Sequence, residues 1–241
     1  MGKFHRYRTA LARHHRSRGF GIHSPFAFHF VTEVLREGLP YYSYDYIRRQ
    51  RHAAVKATRH YFLHPRIISN KSARLLFRVT NFFNPSVIAQ FGTDYGVSAA
   101  CMMAVSAASK LFLQEIDIER FPVVKEIFST FGNEVVCNQS CEATEEAYFH
   151  ALQAEPAAKP FALINVIRQP SDYDTVLHFA LRALSCGGVV IIRNIHRFPD
   201  NKRLWLQCKE QMKSGQTFTN EKIAIMVGNP GLPLEHFLLW F

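Results

Sequence analysis

From Pro85 onward, short apolar runs alternate with longer segments whose apolar residues recur at helical spacing. No other feature constrains the fold as strongly. Val87–Phe91, Leu111–Ile116, Glu134–Cys137, Phe161–Ile167 and Val189–Arg193 read as strands. Gly96–Ser109, Glu119–Phe131, Ala143–Ala154, Asp174–Leu184 and Asn201–Lys213 read as the helices between and after them. Strands covered on both faces need no polar side, so continuous apolar runs fit a parallel sheet sandwiched by helices. Gln216–Gly228 reads as a hairpin, and His236–Phe241 is apolar to its end. Five βα units followed by terminal strands predict an α/β fold with a mostly parallel, Rossmann-like sheet.

The first 84 residues follow another pattern. Ser24-Pro25 is a helix start, with serine as cap and proline in the first turn. Phe26, Phe30, Val31, Val34 and Leu35 follow at helical spacing, and Gly38-Leu39-Pro40 ends the segment. An aromatic link, Tyr41–Tyr46, leads to a second basic helix over Arg48–His60. Ser69 or Ser72 opens a third, with Leu75, Leu76, Val79 and Phe82 on one face, and Asn84-Pro85 stops it. The chain therefore divides into a basic helical N-terminal extension, 1–84, and a Rossmann-like cofactor-binding domain, 85–241. Residues 1–18 lack apolar periodicity and are expected to be mobile.

Charge is divided as unevenly as pattern. Residues 1–78 hold 16 Lys and Arg against three acids, a net of +13, whereas residues 79–241 carry −3 of the total +10. This asymmetry implies either an anionic partner for residues 1–78 (nucleic acid or another polyanion, such as an acidic surface) or a solvated cationic face. No apolar run reaches the ~18 residues of a membrane span. The basic start lacks the apolar stretch of a secretory signal. Five cysteines without CxxC pairing read as reduced thiols, which points to a cytoplasmic protein. GxSxG, HExxH and P-loop patterns are absent from the sequence, leaving hydrolase, zinc-protease and nucleotide-triphosphatase readings unsupported.

Two loops carry the chemistry. The first βα turn runs Gln90-Phe91-Gly92-Thr93-Asp94-Tyr95-Gly96-Val97-Ser98. Its glycines allow a sharp turn and a close approach at the carboxyl edge of the sheet. The second strand leads into Glu115-Ile116-Asp117, where α/β nucleotide-binding folds place an acid that accepts both hydroxyls of a ribose. Glu115 is the first choice for that role and Asp117 the alternative. His196, past the fifth strand, is a candidate general base, because imidazole titrates near neutrality. Arg193 and Arg197 beside it, and Arg168, read as surface charge or as anion contacts.

The order of these motifs resembles the class I S-adenosylmethionine methyltransferases, and within them the small O-methyltransferase-like group. There the first loop reads close to E-L-G-T-S-x-G-x-S, the second strand ends in I-E-x-D, the fourth in I-D and the fifth in D-D or D-N. Gly19-Phe20-Gly21-Ile22-His23-Ser24-Pro25-Phe26 and Glu235-His236-Phe237 also resemble a methyltransferase-like group found in Bacteroidetes. The likeness spans about residues 19–241 and implies a seven-stranded methyltransferase sheet, with S-adenosylmethionine as cofactor. Gln90, Gly92, Thr93, Asp94, Gly96, Ser98, Glu115 and Asp117 would then hold the cofactor, and His196, Asn165 and Asn194 would form the catalytic set.

Three departures qualify it. Gln90, Asn165 and Asn194 are amides where the family pattern has carboxylates. The family's first acid helps hold the cofactor's ammonium, and the other two hold substrate, a divalent metal or both. Hard divalent cations prefer anionic oxygen, so no metal is expected. The resemblance implies either a metal-independent methyltransferase acting on a small or macromolecular acceptor, or a catalytically weak or silent relative that binds cofactor, an anionic partner, or both.

Overall fold

The structure is a computed structural model that describes residues 13–58, 67–115, 134–167 and 169–241. Asp117, Arg168, the helix expected over Glu119–Phe131 and the first twelve residues of the basic arm lie outside the described residues.

Helix α1 spans Pro25–His29 and continues as a π-helical segment, Phe30–Leu35. The Ser24 hydroxyl accepts from the Ala27 amide, as a serine cap does. α2 covers Ser43–Thr58, beginning inside the expected aromatic link, and α3 covers Asn70–Phe83 with Ser69 as its cap. Asn84, with φ 41°, ends α3 in the left-handed conformation and turns the chain into the sheet. The alternating units follow: β1 Val87–Phe91, α4 Val97–Met103, β2 Lys110–Gln114, β3 Val135–Asn138, α5 Cys141–Gln153, β4 Phe161–Ile164, α6 Tyr173–Ser185, β5 Val189–Arg193 and α7 Pro199–Gln211. β6 Gln216–Thr219, β7 Ile223–Val227 and β8 Glu235–Leu238 close the chain.

The sheet order is β3-β2-β1-β4-β5-β7-β6-β8. β7 runs antiparallel to both of its neighbours; the other pairings are parallel. The sheet therefore has eight strands where seven were expected. The extra strand is β8, which pairs in register with β6 and sets Phe237 against Phe218, ring centroids 5.2 Å apart. Phe218 in turn meets Phe30 of the π-helical segment at 4.8 Å. Burial of this aromatic column holds the last strand on the edge of the sheet.

Along the central strands, side chains alternate between two cores. Val87, Ala89, Phe91, Ala162, Ile164, Val190 and Ile192 face α5, α6 and α7. Ile88, Leu111, Leu113, Leu163 and Ile191 face the N-terminal helices and α4. The apolar runs are continuous because both faces are covered. The N-terminal helices are thus one of the two layers on the sheet. Arg78 of α3 fastens that layer, donating to the carbonyls of Val34 (2.7 Å) and Leu35 (3.0 Å) at the end of the π-helical segment.

Residues 13–18 are docked against the end of the chain. Arg13 forms an ion pair with Glu221 at 2.9 Å, and the Ser17 hydroxyl accepts from the Trp240 amide at 2.7 Å. Both contacts bridge more than 200 residues, which sequence periodicity does not register.

Candidate active site

Strand order reverses between β1 and β4, and ligands of open α/β sheets bind in the crevice outside the carboxyl ends of the strands at such a point. Most of the expected site residues converge there.

Gly92 leaves β1 with φ 72°, Tyr95 has φ 59° and Gly96 has φ 79° at the start of α4. Three left-handed residues in five fold the loop back on itself. Gly96 has no side chain to cap α4, and Asp94 does so instead. Its Oδ1 accepts from the Ser98 amide at 2.9 Å and its Oδ2 from the Ser98 hydroxyl at 2.8 Å. Glu115 at the end of β2 ties the other half of the loop. Its Oε2 accepts from both the amide (3.0 Å) and the hydroxyl (2.6 Å) of Thr93.

Gln90 and Asn165 each donate an amide hydrogen to the carbonyl of Gly92, at 3.1 and 3.0 Å. A carboxylate in either place would set oxygen against oxygen in a buried site, so the geometry accounts for two departures from the acidic family pattern. Asn194 is accounted for separately. It sits at φ 58°, a conformation that asparagine tolerates, and its amide donates to the Asn165 carbonyl at 3.1 Å.

Two further residues complete the site. Arg193, read as surface charge or an anion contact, is 7% exposed. Its Nη1 donates to Asp94 Oδ2 (2.9 Å), Ser98 Oγ (2.8 Å) and Asn165 Oδ1. An arginine at the end of a buried strand beside an acidic loop is the signal that could have marked it. Asn201, in the first turn of α7, donates to the carbonyls of Asn165 (2.9 Å) and Arg193 (2.6 Å) and locks the two strand ends together. No motif marks Asn201.

In front of these groups lies a cavity of about 1440 Å³. Asn165, Asn194 and His196 all line it, as do Thr93 and Asp94. Gln90, Ser98 and Glu115 are buried behind that wall. Gly92 is shut off as well, since a Cβ there would lie 2.7 Å from the Val166 carbonyl oxygen. Its close approach is to the β4 loop. His196 is held below the usual imidazole range by partial burial first and then by the charges of Arg197 and Lys222. Among the described residues no group of three or more His, Cys, Asp or Glu could hold a metal ion, and no helix is long and apolar enough to cross a membrane.

Solved methyltransferases share this architecture. An O-methyltransferase from Streptomyces achromogenes, involved in tomaymycin synthesis and solved with S-adenosylmethionine, is 16% identical, with a TM-score of 0.55 over 75% of this chain and 89% of its own. An O-methyltransferase from Bacillus cereus, solved with S-adenosylhomocysteine, is 16% identical, with a TM-score of 0.52 over 82% of this chain and 95% of its own. A methyltransferase from Geobacter sulfurreducens is 15% identical, with a TM-score of 0.55 over 78% and 91%. The chain has the class I methyltransferase fold. No family model and no curated protein sequence matches it.

Proposed function

We propose that the chain, from 85 to 241, is a cofactor domain that transfers a methyl group from S-adenosylmethionine to an acceptor in the adjoining cavity. On this reading residues 1–84 are an extension whose described part helps wall the cavity, and the protein works in the cytoplasm. The observation that carries the proposal is the cavity at the β1–β4 switch point of the sheet, where Thr93, Asp94, Asn165, Asn194 and His196 share one wall. Ligands of open α/β sheets bind at such a crevice, and Gln90 supports the wall from behind through the Gly92 carbonyl. Glu115 would meet the ribose, with Asp117 as its alternative. Thr93, Asp94, Gly96 and Ser98 would shape the loop between them.

The cofactor supplies a methyl group on a positively charged sulfur. His196, neutral at pH 7, would take the proton from the acceptor's nucleophilic atom as the new bond to carbon forms and the carbon–sulfur bond breaks. Methyl transfer is an in-line displacement, so the chain contributes chiefly orientation and exclusion of water. Asn165 and Asn194 hold the loop ends in place. A divalent metal beside Asn165 would face the Arg193 guanidinium at contact range, a like-charge repulsion. This supports a metal-independent reaction.

Two outcomes test the reading. Calorimetry should show S-adenosylhomocysteine binding with a dissociation constant on the order of 1–100 μM. Glu115→Ala should weaken it by about 1–3 kcal/mol. Absence of binding at millimolar ligand would sink the proposal. The second outcome concerns His196. Its pKa is lowered, so the imidazole should stay neutral to below pH 6.5 and protonate only as pH falls further. Removing the two cations with Arg197→Ala/Lys222→Ala should move the midpoint of its NMR titration upward. A midpoint that does not move would remove the electrostatic cause.

A further inference from the structure

The cavity wall is strongly cationic. Eight of its side chains are Lys or Arg, against three acids, Glu37, Asp94 and Glu221. Most of these cations are engaged: Arg13 with Glu221, Arg36 with the Ser17 carbonyl, Arg78 with the end of the π-helical segment. Lys71, Arg197 and Lys222 form no ion pair or side-chain hydrogen bond among the described residues, and all three are exposed at the cavity. Arg193 is engaged through Nη1 alone. Its Nε and Nη2 make no hydrogen bond among the described residues, and the side chain lines the cavity although the residue is only 7% exposed. A guanidinium fixed on one edge and open on the other is preorganised for an oxyanion, because its planar fork matches carboxylate and phosphate.

The basic excess of the N-terminal third bears on the same point. Five of its cations (Arg13, Arg36, Lys71, Arg74 and Arg78) line this cavity. Charge turned inward around a concavity focuses the field there and concentrates small anions. The volume also exceeds the roughly 300–1,000 Å³ of a typical single-ligand pocket, leaving room for a second ligand beside the cofactor.

We propose that the methyl acceptor is a small oxyanion, a molecule bearing a carboxylate or phosphate group, whose charge is held by Arg193, Arg197 and Lys222. The identity of the anion as acceptor rests on the methyltransferase reading; the anion site itself does not. The probes are phenyl phosphate, benzoate and neutral benzamide, titrated by calorimetry into the full chain. At least one of the two anions should bind tenfold or more tighter than benzamide, and the tighter one names the oxyanion. Arg197→Ala/Lys222→Ala, at exposed positions without partners, should weaken the anion threefold to tenfold and leave S-adenosylhomocysteine affinity unchanged. Raised salt should weaken the anion and not benzamide. Equal binding of benzoate and benzamide, or anion affinity unchanged in the double variant, would overturn the proposal. If the anion binds as described but S-adenosylhomocysteine does not, the anion site stands and the methyltransferase reading falls.

Discussion

Replacing Arg193 with methionine should destabilise the protein by about 3–5 kcal/mol, the cost of stripping one partner from a buried ion pair. Both side chains are nearly enclosed, at 8% for Arg193 and 10% for Asp94, so little solvent screening reduces the effect. The loss is structural in origin. Asp94 would keep only Ser98 as partner, and Asn165 Oδ1 would lose its donor, while the methionine adds no polar contact. Melting should fall on the order of 10 °C, from the ~2–4 °C per kcal/mol of a chain this size. Arg193→Met/Asp94→Asn removes both charges and should recover to within about 1–2 kcal/mol of the parent, since a buried pair replaced whole is nearly neutral. The double variant should nevertheless fail to bind the anionic probes. That combination separates the two duties of Arg193, holding the loop and facing the cavity. A denaturant series in which the single variant costs less than about 1 kcal/mol would show that the pair is not buried in solution.

Gly92→Ala should cost about 2–4 kcal/mol, in two parts. An alanine at φ 72° carries the ~1–2 kcal/mol penalty of the left-handed region. Its Cβ would also fall 2.7 Å from both Cγ1 and the carbonyl oxygen of Val166, and backbone cannot yield there without moving the β4 loop. Gly21 is the internal control. It too has φ 72°, but a Cβ there meets nothing within 4 Å, so Gly21→Ala should show the conformational part alone. The Gly92 variant should also lose S-adenosylhomocysteine affinity at least tenfold, because Thr93, Asp94 and Asn165 move with the loop. Gly21→Ala should not. Equal stability of the two variants would mean that the close approach to Val166 is absent.

Much of the site was legible because its determinants are local. A glycine's left-handed φ, a serine cap and an acid at the end of a strand leave marks within a few residues. The turn at Gly92 and Gly96, the cap at Ser24, the choice of Ser69 or Ser72 as the next cap and the placement of Glu115 were read on that basis. The amides at Gln90 and Asn165 were visible only as missing acids. Their positive role, two donors converging on one carbonyl, depends on β1 and β4 lying side by side. The surface-charge alternative for Arg193 fails for the same reason: a charge at a strand end is ordinarily solvated, and only the neighbouring loop makes it buried.

The alternation of apolar runs and helical segments by itself determined the α/β class, the mostly parallel sheet and the carboxyl edge as the place to look. Those follow from covering strands on both faces, a requirement each segment carries in its own composition. Contacts between distant segments decided the rest. Phe237 finds Phe218, so the last apolar run becomes an eighth strand. Arg13 finds Glu221 and Ser17 finds the Trp240 amide, so the start of the described chain is pinned to its end. Folding the N-terminal helices onto the sheet turns five of the N-terminal cations, Arg13, Arg36, Lys71, Arg74 and Arg78, toward one cavity, because the apolar faces of the helices are taken by the core. Periodicity fixes which face of a helix is buried; which neighbour buries it, and therefore where the charge on its flank ends up, is set by the packing of elements far apart in the chain.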